Sequence, residues 1–170
     1  ISITYIVQDE PNGIAQAFIL AESFLNQSNV TFILGDNIFY GHGVPELLTT
    51  AQQHNSGATI FGYHVQDPER YGVATCNNKG LVTSLEEKPQ HPKSNLAVTG
   101  LYIYDHNVST YAKTISPSAR GELEITELNN YYLAKNKLHL NILGRGTAWL
   151  DTGTQASLFD ASRFVEVIEN

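Results

Sequence analysis

Strand-like and helix-like segments alternate along this chain, and the alternation limits the choice of fold more than any other property of the sequence. The β-branched segment Ile1–Val7 predicts a strand, and Asn12–Asn26 has apolar residues at helical spacing. Val30–Leu34 is a short apolar run, which is typical of a strand covered on both faces. Val44–His54 then predicts a helix, and Ala58–Val65 predicts a strand. Strands that alternate with helices pair in parallel through right-handed crossovers, so we expect an α/β fold.

The middle of the chain has a different pattern. Tyr71–Cys76 and Leu81–Glu86 flank the turn sequence at residues 77–80 and predict an antiparallel hairpin. Later segments resume the alternation, with strands at Val98–Tyr104 and Leu138–Leu143 and helices at Glu122–Lys135 and Thr154–Glu169. We therefore expect one α/β domain over residues 1–170, with a mostly parallel sheet that is covered by helices and carries an antiparallel β insertion.

Composition excludes several classes of protein. A hydrophobic fraction of 42% with 16% charged residues is that of a globular chain. The 10 basic and 17 acidic residues give a net charge of −7, which argues against a nucleic-acid-binding protein. No apolar run approaches the roughly 20 residues of a membrane span, and Cys76 has no second cysteine with which to form a disulfide. With no secretory signal pattern either, we expect a cytoplasmic domain without nucleic-acid or membrane partners.

Two acidic residues follow apolar segments at places where ligands bind in α/β sheets. Asp36 comes directly after the most apolar strand, and Asp151 lies between a short apolar stretch and a helix. Carboxylates placed in this way can share one Mg²⁺, which takes one or two carboxylates together with substrate phosphates. The alternative is that Asp36 or Asn37 caps a following helix, and that Asp151 competes with Thr154 for the same role.

Two cations are the best candidates for binding an anionic substrate. Lys88 lies before Pro89, which biases it toward an extended backbone, and its ammonium group could meet a phosphate. Arg120 precedes an amphipathic helix and could bind a phosphate with two donors. The alternatives are a solvated surface cluster around Lys88 and an ion pair of Arg120 with Glu122 or Glu124.

Gln8 is a candidate for recognition of a nucleobase, because its amide both donates and accepts hydrogen bonds. An ordinary surface turn is the alternative for the segment from Gln8 to Gly13. The sequence has no G-x-G-x-x-G, Walker A or G-x-S-x-G motif, so the sites that depend on these motifs lose their main support.

Several blocks together resemble the sugar-1-phosphate nucleotidylyltransferase family, and within it the members that use dTTP and glucose 1-phosphate. The resemblance runs in order over essentially the whole chain. The blocks are Gln8–Ala17, Leu34–Gly41, Asp67–Val73, Ser84–Pro89, Val98–Tyr102, Ser118–Thr126 and Trp149–Gly153.

The resemblance implies a Rossmann-like three-layer α/β/α fold and transfer of a thymidylyl group from dTTP to glucose 1-phosphate. The products are dTDP-glucose and pyrophosphate, and the parent enzyme is a homotetramer. The resemblance assigns Asp36 and Asp151 to Mg²⁺ and Lys88 and Arg120 to the sugar phosphate, and it treats all four as catalytic. It assigns Gln8 and Gly13 to the thymine base. It assigns Tyr71, Gly72 and Glu87 to the glucose site, with Val98 beside that pocket and Trp149 in the pocket wall near Asp151.

The chain departs from the family pattern at its ends. The family's Gly-rich loop, which runs into Thr-Arg-Leu and grips the triphosphate, is absent, as are the C-terminal helices. The chain also has no initiator Met, so we expect an interior piece, incomplete at the N-terminus, with little or no transferase activity by itself. UTP remains an alternative to dTTP, because a single methyl group separates thymine from uracil. Another sugar phosphate as substrate and a non-catalytic sugar-nucleotide-binding module are also alternatives.

Overall fold

A β-sheet with helices on both faces forms the framework of the protein in the computed structural model, which describes residues 2–170. The strands are β1 (Val30–Ile33), β2 (Asn37–Gly41), β3 (Ala58–His64), β4 (Gly72–Cys76), β5 (Val82–Glu87), β6 (Leu96–Tyr104), β7 (Leu138–Ile142) and β8 (Thr147–Asp151). The helices are α1 (Gln16–Leu20), α2 (Glu22–Leu25), α3 (Val44–His54), α4 (Val108–Ala112), α5 (Ile125–Ala134) and α6 (Gln155–Glu169). No helix among residues 2–170 is long and apolar enough to cross a bilayer.

Strand β6 is the centre of a six-stranded sheet with the order β5-β4-β6-β3-β7, in which β1 also pairs with β6. It runs antiparallel to β1, β3 and β4, whereas β3 and β7 pair in parallel. The predicted α/β class is confirmed, but the sheet is mixed rather than mostly parallel over the described residues. β1, β3 and β7 do point the same way, as the alternation predicts. β6 lies between β1 and β3 and runs in the opposite direction, so the ladders on both of its sides are antiparallel.

Two strands, β4 and β1, pair with different parts of the same edge of β6, and a gap separates them. The start of β6 pairs with β4 through Ala97, and the end of β6 pairs with β1 over residues 101–104. Val98 and Thr99 therefore lie where β4 and β1 diverge. On the other edge, Phe61 of β3 alone lies opposite residues 99–101, so β6 bulges at the same position. Bulges of this kind often lie next to active sites, where they redirect a side chain or end the pairing.

Apolar layers on the two faces of the sheet hold the helices against it. One layer packs α1, α4 and α5 on the sheet through buried side chains such as Phe18 and Leu128. The other layer packs α3 through Ala51, together with the β2–β8 ribbon, which is the separate two-stranded sheet formed by β2 and β8 and is anchored by Trp149. Helices on both faces confirm the three-layer arrangement.

Several predicted elements are confirmed, and one helix is divided. The helix predicted at Val44–His54 is α3 with the same bounds, and the predicted hairpin is the antiparallel pair β4–β5. The helix predicted over Asn12–Asn26 is instead the two short helices α1 and α2. Its start is delayed because Gly13 adopts a φ of +101° where its backbone meets that of Leu123.

The strand predicted at Ile1–Val7 is wrong for residues 2–7, which form no strand, and Ile1 lies outside the described residues. The side chains of this segment are exposed, with Tyr5 at 88% of its full accessibility. A β-branched composition favours a strand only where a neighbouring strand offers hydrogen bonds and a packing surface, and no described strand pairs with this segment.

A cluster of buried tyrosines couples the stability of the fold to pH. Burial raises the pKa of Tyr104 well above its usual value of about 10, and the neighbouring Tyr102 and Tyr132 raise it further. Burial also raises the pKa values of Tyr102 and Tyr132. The Tyr104 hydroxyl donates to Asn129 Oδ1 at 2.7 Å, so the folded state holds the protonated phenol in place.

We predict that the free energy of unfolding falls as the pH rises above about 10, because the unfolded chain then releases phenolic protons that the folded chain keeps. Tyr104→Phe removes one of these groups, so its stability should fall less steeply, by about 1.4 kcal/mol less per pH unit. Urea unfolding between pH 8 and pH 11 measures both slopes, and Tyr5→Phe is the exposed control. Equal slopes for the wild type and Tyr104→Phe would contradict this account.

Candidate active site

The β2–β8 ribbon brings Asp36 and Asp151 together although they are far apart in the sequence. Asn37 pairs with Asp151 in the antiparallel register, so Asp36 lies directly beside the end of β8. The backbone N–H and the hydroxyl of Thr152 both donate to the carbonyl oxygen of Asp36 at 2.8 Å, which ties the two chain segments together. A Cβ atom placed on Gly153 would lie 3.1 Å from Asp151 Oδ1 and 3.4 Å from Asp36 Oδ2. The two carboxylates thus face one small space.

The helix-cap alternatives do not explain these acids. Asn37 begins strand β2 rather than a helix, so neither Asp36 nor Asn37 caps one. The cap of α6 is Thr154, whose hydroxyl accepts from the N–H of Ser157 at 3.1 Å in a capping box. The carboxylate of Asp151 instead accepts a hydrogen bond from the N–H of Gly153 at 3.0 Å and remains part of the paired site.

A cavity of about 350 Å³ opens beside the two acids, at the division between β4 and β1. Most of the predicted site residues line it: Asp36, Tyr71, Gly72, Glu87, Lys88, Val98, Arg120, Trp149 and Asp151. Gln8 and Gly13 do not line the cavity, although Gly13 directly precedes Ile14, which does. The Gln8 amide donates to the carbonyl oxygen of Gly13 at 3.2 Å and to Gln16 Oε1 at 2.6 Å.

One corner of the cavity is polar and closely packed. The hydroxyl of Thr126 donates a hydrogen bond to Glu87 Oε2. A Cβ atom on Gly72 would lie 2.9 Å from Thr126 Oγ1 and 3.9 Å from Val98 Cβ, so these residues form one wall. The second oxygen of this carboxylate, Oε1, lies 3.7 Å from the Arg120 guanidinium and can accept hydrogen bonds from ligand hydroxyl groups. The corner therefore suits a polyol better than an apolar ligand.

The two predicted cations differ in how far they are already paired. The guanidinium group of Arg120 donates to both carboxylate oxygens of Glu124 at 2.9 Å, and it lies 3.6 Å from Glu122 and 3.7 Å from Glu87. The hydrogen bonds to Glu124 raise the pKa of Arg120 above its usual range. Within residues 2–170, Lys88 forms no ion pair. Lys88 is thus the cation available to an anionic ligand, whereas Arg120 must share its donors.

The extended backbone that Pro89 predicted for Lys88 is wrong. Lys88 has a φ of +40°, in the left-handed region. The Lys88 N–H donates to the carbonyl oxygen of Tyr71 at 3.0 Å, which continues the β4–β5 pairing by one bond and turns the chain sharply there. A non-glycine residue in this left-handed region costs roughly 1–2 kcal/mol. Such strain is common at functional sites.

A second cavity of about 990 Å³ lies on the other side of these cations. It is lined by the segment from Thr114 to Arg120 and by α5, and it shares five residues with the first cavity: Glu87, Lys88, Arg120, Glu124 and Thr126. The shared side chains form the partition between the two cavities.

An aromatic wall closes the opposite side of the smaller cavity. The rings of Tyr71 and Trp149 pack edge to face with their centroids 5.1 Å apart, and the Arg70 guanidinium lies 5.3 Å from the centre of the Tyr71 ring. Burial raises the pKa of Tyr71 above its usual value. Arg70 also lies 4.0 Å from Asp151 Oδ2 and donates to Asp67 at 2.8 Å.

Three lining residues that contact the predicted ones carry no local sequence pattern that predicts them. Arg70 contacts Asp151, Thr126 binds Glu87, and the Asn37 amide donates to Asp36 Oδ1 at 2.8 Å. Asn37 and Thr126 stand inside the quoted family blocks, and Arg70 adjoins Tyr71 in another. The only sequence signal for each was its place in a block, because none has a distinctive spacing of its own.

The donor set at the two acids fits Mg²⁺. Among residues 2–170, no group of three or more His, Cys, Asp or Glu side chains is arranged around a common metal position. Mg²⁺ does not need such a cage, because it usually keeps several waters and binds through one or two carboxylates together with substrate phosphates. Asp36 Oδ2 and Asp151 Oδ1, facing the space beside Gly153, are the oxygens that would hold it.

We predict that Gly153→Ala weakens Mn²⁺ binding by about 10-fold, because the added methyl group crowds both carboxylates. The backbone of Gly153 is outside the left-handed region, so alanine can adopt it. Electron paramagnetic resonance of free Mn²⁺ measures the affinity. Gly144→Ala is the matched control, since a Cβ atom there meets no other atom within 4 Å. Equal affinity in Gly153→Ala and the wild type would show that this space is not the cation site.

Comparisons with known proteins identify the family of the chain. The family model of the nucleotidyl transferases matches residues 1–167. Glucose-1-phosphate thymidylyltransferase from Neisseria meningitidis is 53% identical over 170 residues, which are 100% of this chain and 59% of the relative. The enzyme of that name from Mycobacterium tuberculosis is 49% identical over 169 residues, or 99% of this chain and 58% of the relative. The chain thus spans about three fifths of the length of these curated relatives.

Solved structures show the same fold. A structure described as a glucose-1-phosphate thymidylyltransferase from Bacillus anthracis in complex with a sucrose superposes with a TM-score of 0.84 and 45% identity, covering 96% of this chain and 65% of that one. A UDP-glucose pyrophosphorylase complexed with UDP-glucose has a TM-score of 0.86 at 21% identity, with the same coverage. The second likeness concerns the fold alone. The match over residues 1–167 and the shared fold show that the chain belongs to the nucleotidyl transferase family.

Proposed function

We propose that this chain contributes the sugar-phosphate and Mg²⁺ sites of a glucose-1-phosphate thymidylyltransferase. The observation that carries the proposal is the meeting of Asp36, Asp151, Lys88 and Glu87 around one cavity. The family supports nucleotidyl transfer to a sugar phosphate, and the relatives from Neisseria meningitidis and Mycobacterium tuberculosis bear the name of this enzyme. The reaction is dTTP plus glucose 1-phosphate to dTDP-glucose plus pyrophosphate.

In the proposed reaction, a phosphate oxygen of glucose 1-phosphate attacks the α-phosphorus of dTTP in line. The new bond joins that oxygen to the α-phosphorus, and the bond from the α-phosphorus to the bridging oxygen of the β-phosphate breaks and releases pyrophosphate. No covalent intermediate with the enzyme is needed, so positioning and charge neutralisation supply the catalysis. Mg²⁺, when bound, would neutralise the phosphate oxygens that gain charge.

Six of the cavity residues have a proposed role in that reaction. Lys88 and Arg120 bind the phosphate of glucose 1-phosphate, with Arg120 exchanging part of its contact with Glu124 for the substrate. Glu87 accepts hydrogen bonds from the glucose hydroxyls, and its oxygen shared with Thr126 fixes its orientation. Gly72 leaves its backbone open to the sugar, because a side chain there would meet Thr126. Asp36 and Asp151 hold Mg²⁺.

Gln8 and Gly13 are proposed to recognise thymine. What supports this proposal is the hydrogen bond from the Gln8 amide to the Gly13 carbonyl oxygen, since Gly13 directly precedes Ile14, which lines the cavity. Discrimination between thymine and uracil depends on one methyl group, which is worth only about 1–3 kcal/mol. We also propose, from the family resemblance, that the enzyme is a homotetramer and acts in the cytoplasm.

We predict pyrophosphate release that requires glucose 1-phosphate, Mg²⁺ and dTTP in the complete product of the encoding gene, with UTP a poorer substrate. Asp36→Asn should lower the rate by about 100-fold or more, because it removes one of the two proposed Mg²⁺ carboxylates. Asp160→Asn, an exposed acid of α6 away from the cavity, is the control of equal charge. A well-folded protein that binds dTDP-glucose without releasing pyrophosphate from either nucleotide would support a binding module instead.

We predict that the 170-residue chain alone releases little pyrophosphate. Three cations, Arg70, Lys88 and Arg120, line the cavity against the five carboxylates of Asp36, Glu87, Glu122, Glu124 and Asp151. This lining lacks the positive charge that a triphosphate and a departing pyrophosphate require. The same coupled assay, run at equal concentrations on the 170-residue chain and on the complete gene product, measures the difference. Equal rates would overturn this prediction.

A further inference from the structure

Gly100, which lies in the bulge of β6, binds a side chain through its backbone N–H. Opposite Phe61, three residues of β6 replace one, so the regular ladder is interrupted at Gly100. The N–H of Gly100 donates to Asn37 Oδ1 at 3.1 Å instead of to a neighbouring strand. Its carbonyl oxygen accepts from the N–H of Leu34 at 2.9 Å, which holds the segment leading to Asp36 against β6.

The side chain of Asn37 is bound from three directions. Its Oδ1 also accepts from the indole Nε1–H of Trp149 at 2.6 Å, and its Nδ2 donates to Asp36 Oδ1 at 2.8 Å. The two donors at Oδ1 fix which way the amide faces, because only the oxygen can accept from both. The amide nitrogen is therefore turned toward Asp36. An aspartate at position 37 could keep the first two bonds but not the third.

Close packing leaves this amide little freedom to move. A Cβ atom on Gly100 would lie 2.6 Å from Asn37 Oδ1 and 2.9 Å from its Nδ2, so the amide lies directly on the glycine backbone. Trp149 itself is 8% exposed and packs in the layer beneath the β2–β8 ribbon. The hydrogen bond to Asp36 thus comes from a rigid group, although Asp36 is exposed.

We propose that Asn37 is a positioning residue that assigns different tasks to the two oxygens of Asp36. Asn37 occupies Oδ1, so Oδ2, which faces the space shared with Asp151, is the oxygen left for the cation. Asp36 then binds the cation through one oxygen only. This inference rests on the proposed function, because it takes the paired acids as the Mg²⁺ site.

The proposal gives Trp149 a use as a reporter. It is the only tryptophan in the sequence, so one indole Nε1–H signal is expected in a ¹H–¹⁵N spectrum. A cation at Asp36 draws charge from the carboxylate, which weakens the bond from Asn37 Nδ2 and changes how strongly Asn37 Oδ1 accepts from the indole. Saturation of the chain with Mg²⁺ should therefore shift this signal, although the indole does not touch the cation.

The experiment compares the 170-residue chain with Asn37→Ala and Gly100→Ala. Asn37→Ala removes the amide, and Gly100→Ala displaces it without removing any polar group. We expect both to weaken Mn²⁺ binding by about 10–100-fold, as loss of a group that orients a metal ligand does. We also expect Mg²⁺ to leave the Trp149 signal unshifted in Asn37→Ala. Gly144→Ala is the control, and thermal unfolding verifies that each variant is folded.

The outcomes separate this inference from the proposed function. Wild-type affinity for Mn²⁺ in folded Asn37→Ala would overturn the positioning role while leaving the acids as the cation site. A wild-type chain that binds no Mn²⁺ at millimolar concentration would overturn the cation site and the positioning role together. If Asn37→Ala does not fold, the Gly100→Ala result decides, because an unchanged affinity there contradicts the proposal and a weakened one supports it.

Discussion

The antiparallel pairing of β2 with β8 is the contact on which the candidate site depends. It places Asn37 opposite Asp151 and thereby brings two carboxylates from distant parts of the chain to one space beside Gly153. A slip of one residue would turn every side chain of one strand to the opposite face of the ribbon. Trp149 resists such a slip, because its ring is buried on Tyr71 while its indole N–H is bound to Asn37.

The sheet supplies the space and the ribbon supplies the acids. The cavity lies where β4 and β1 part along the edge of β6, and the same stretch of β6 bulges and offers the N–H of Gly100 to Asn37. Carboxylates outnumber cations in the lining, so two negative phosphate groups can approach each other there only with added positive charge. This balance supports the proposed Mg²⁺ and the proposed use of Lys88 together with Arg120, whose guanidinium group is already bound to Glu124.

The sequence predicted what local patterns determine. Helix α3 and strand β3 follow from apolar spacing and composition, and both acids were identified because they follow apolar segments. The ribbon was missed because β2 and β8 pair with each other across most of the chain, a contact that no local pattern contains. The prediction of a mostly parallel sheet was wrong at β6 for the same reason. No local pattern shows that β6 lies between β1 and β3 and runs antiparallel to both. The left-handed backbone of Lys88 depends on its bond to Tyr71, which is also non-local.

Anomalous diffraction from a crystal of this chain grown with Mn²⁺ and dTDP-glucose tests the central claim most directly. The account predicts one strong manganese peak between Asp36 and Asp151, at roughly 2.0–2.3 Å from Asp36 Oδ2 and farther from Oδ1. It also predicts density for the sugar beside Glu87 and Gly72. Nucleotide sugar bound in the cavity with no manganese peak at the two acids, or a peak at other side chains, would contradict it.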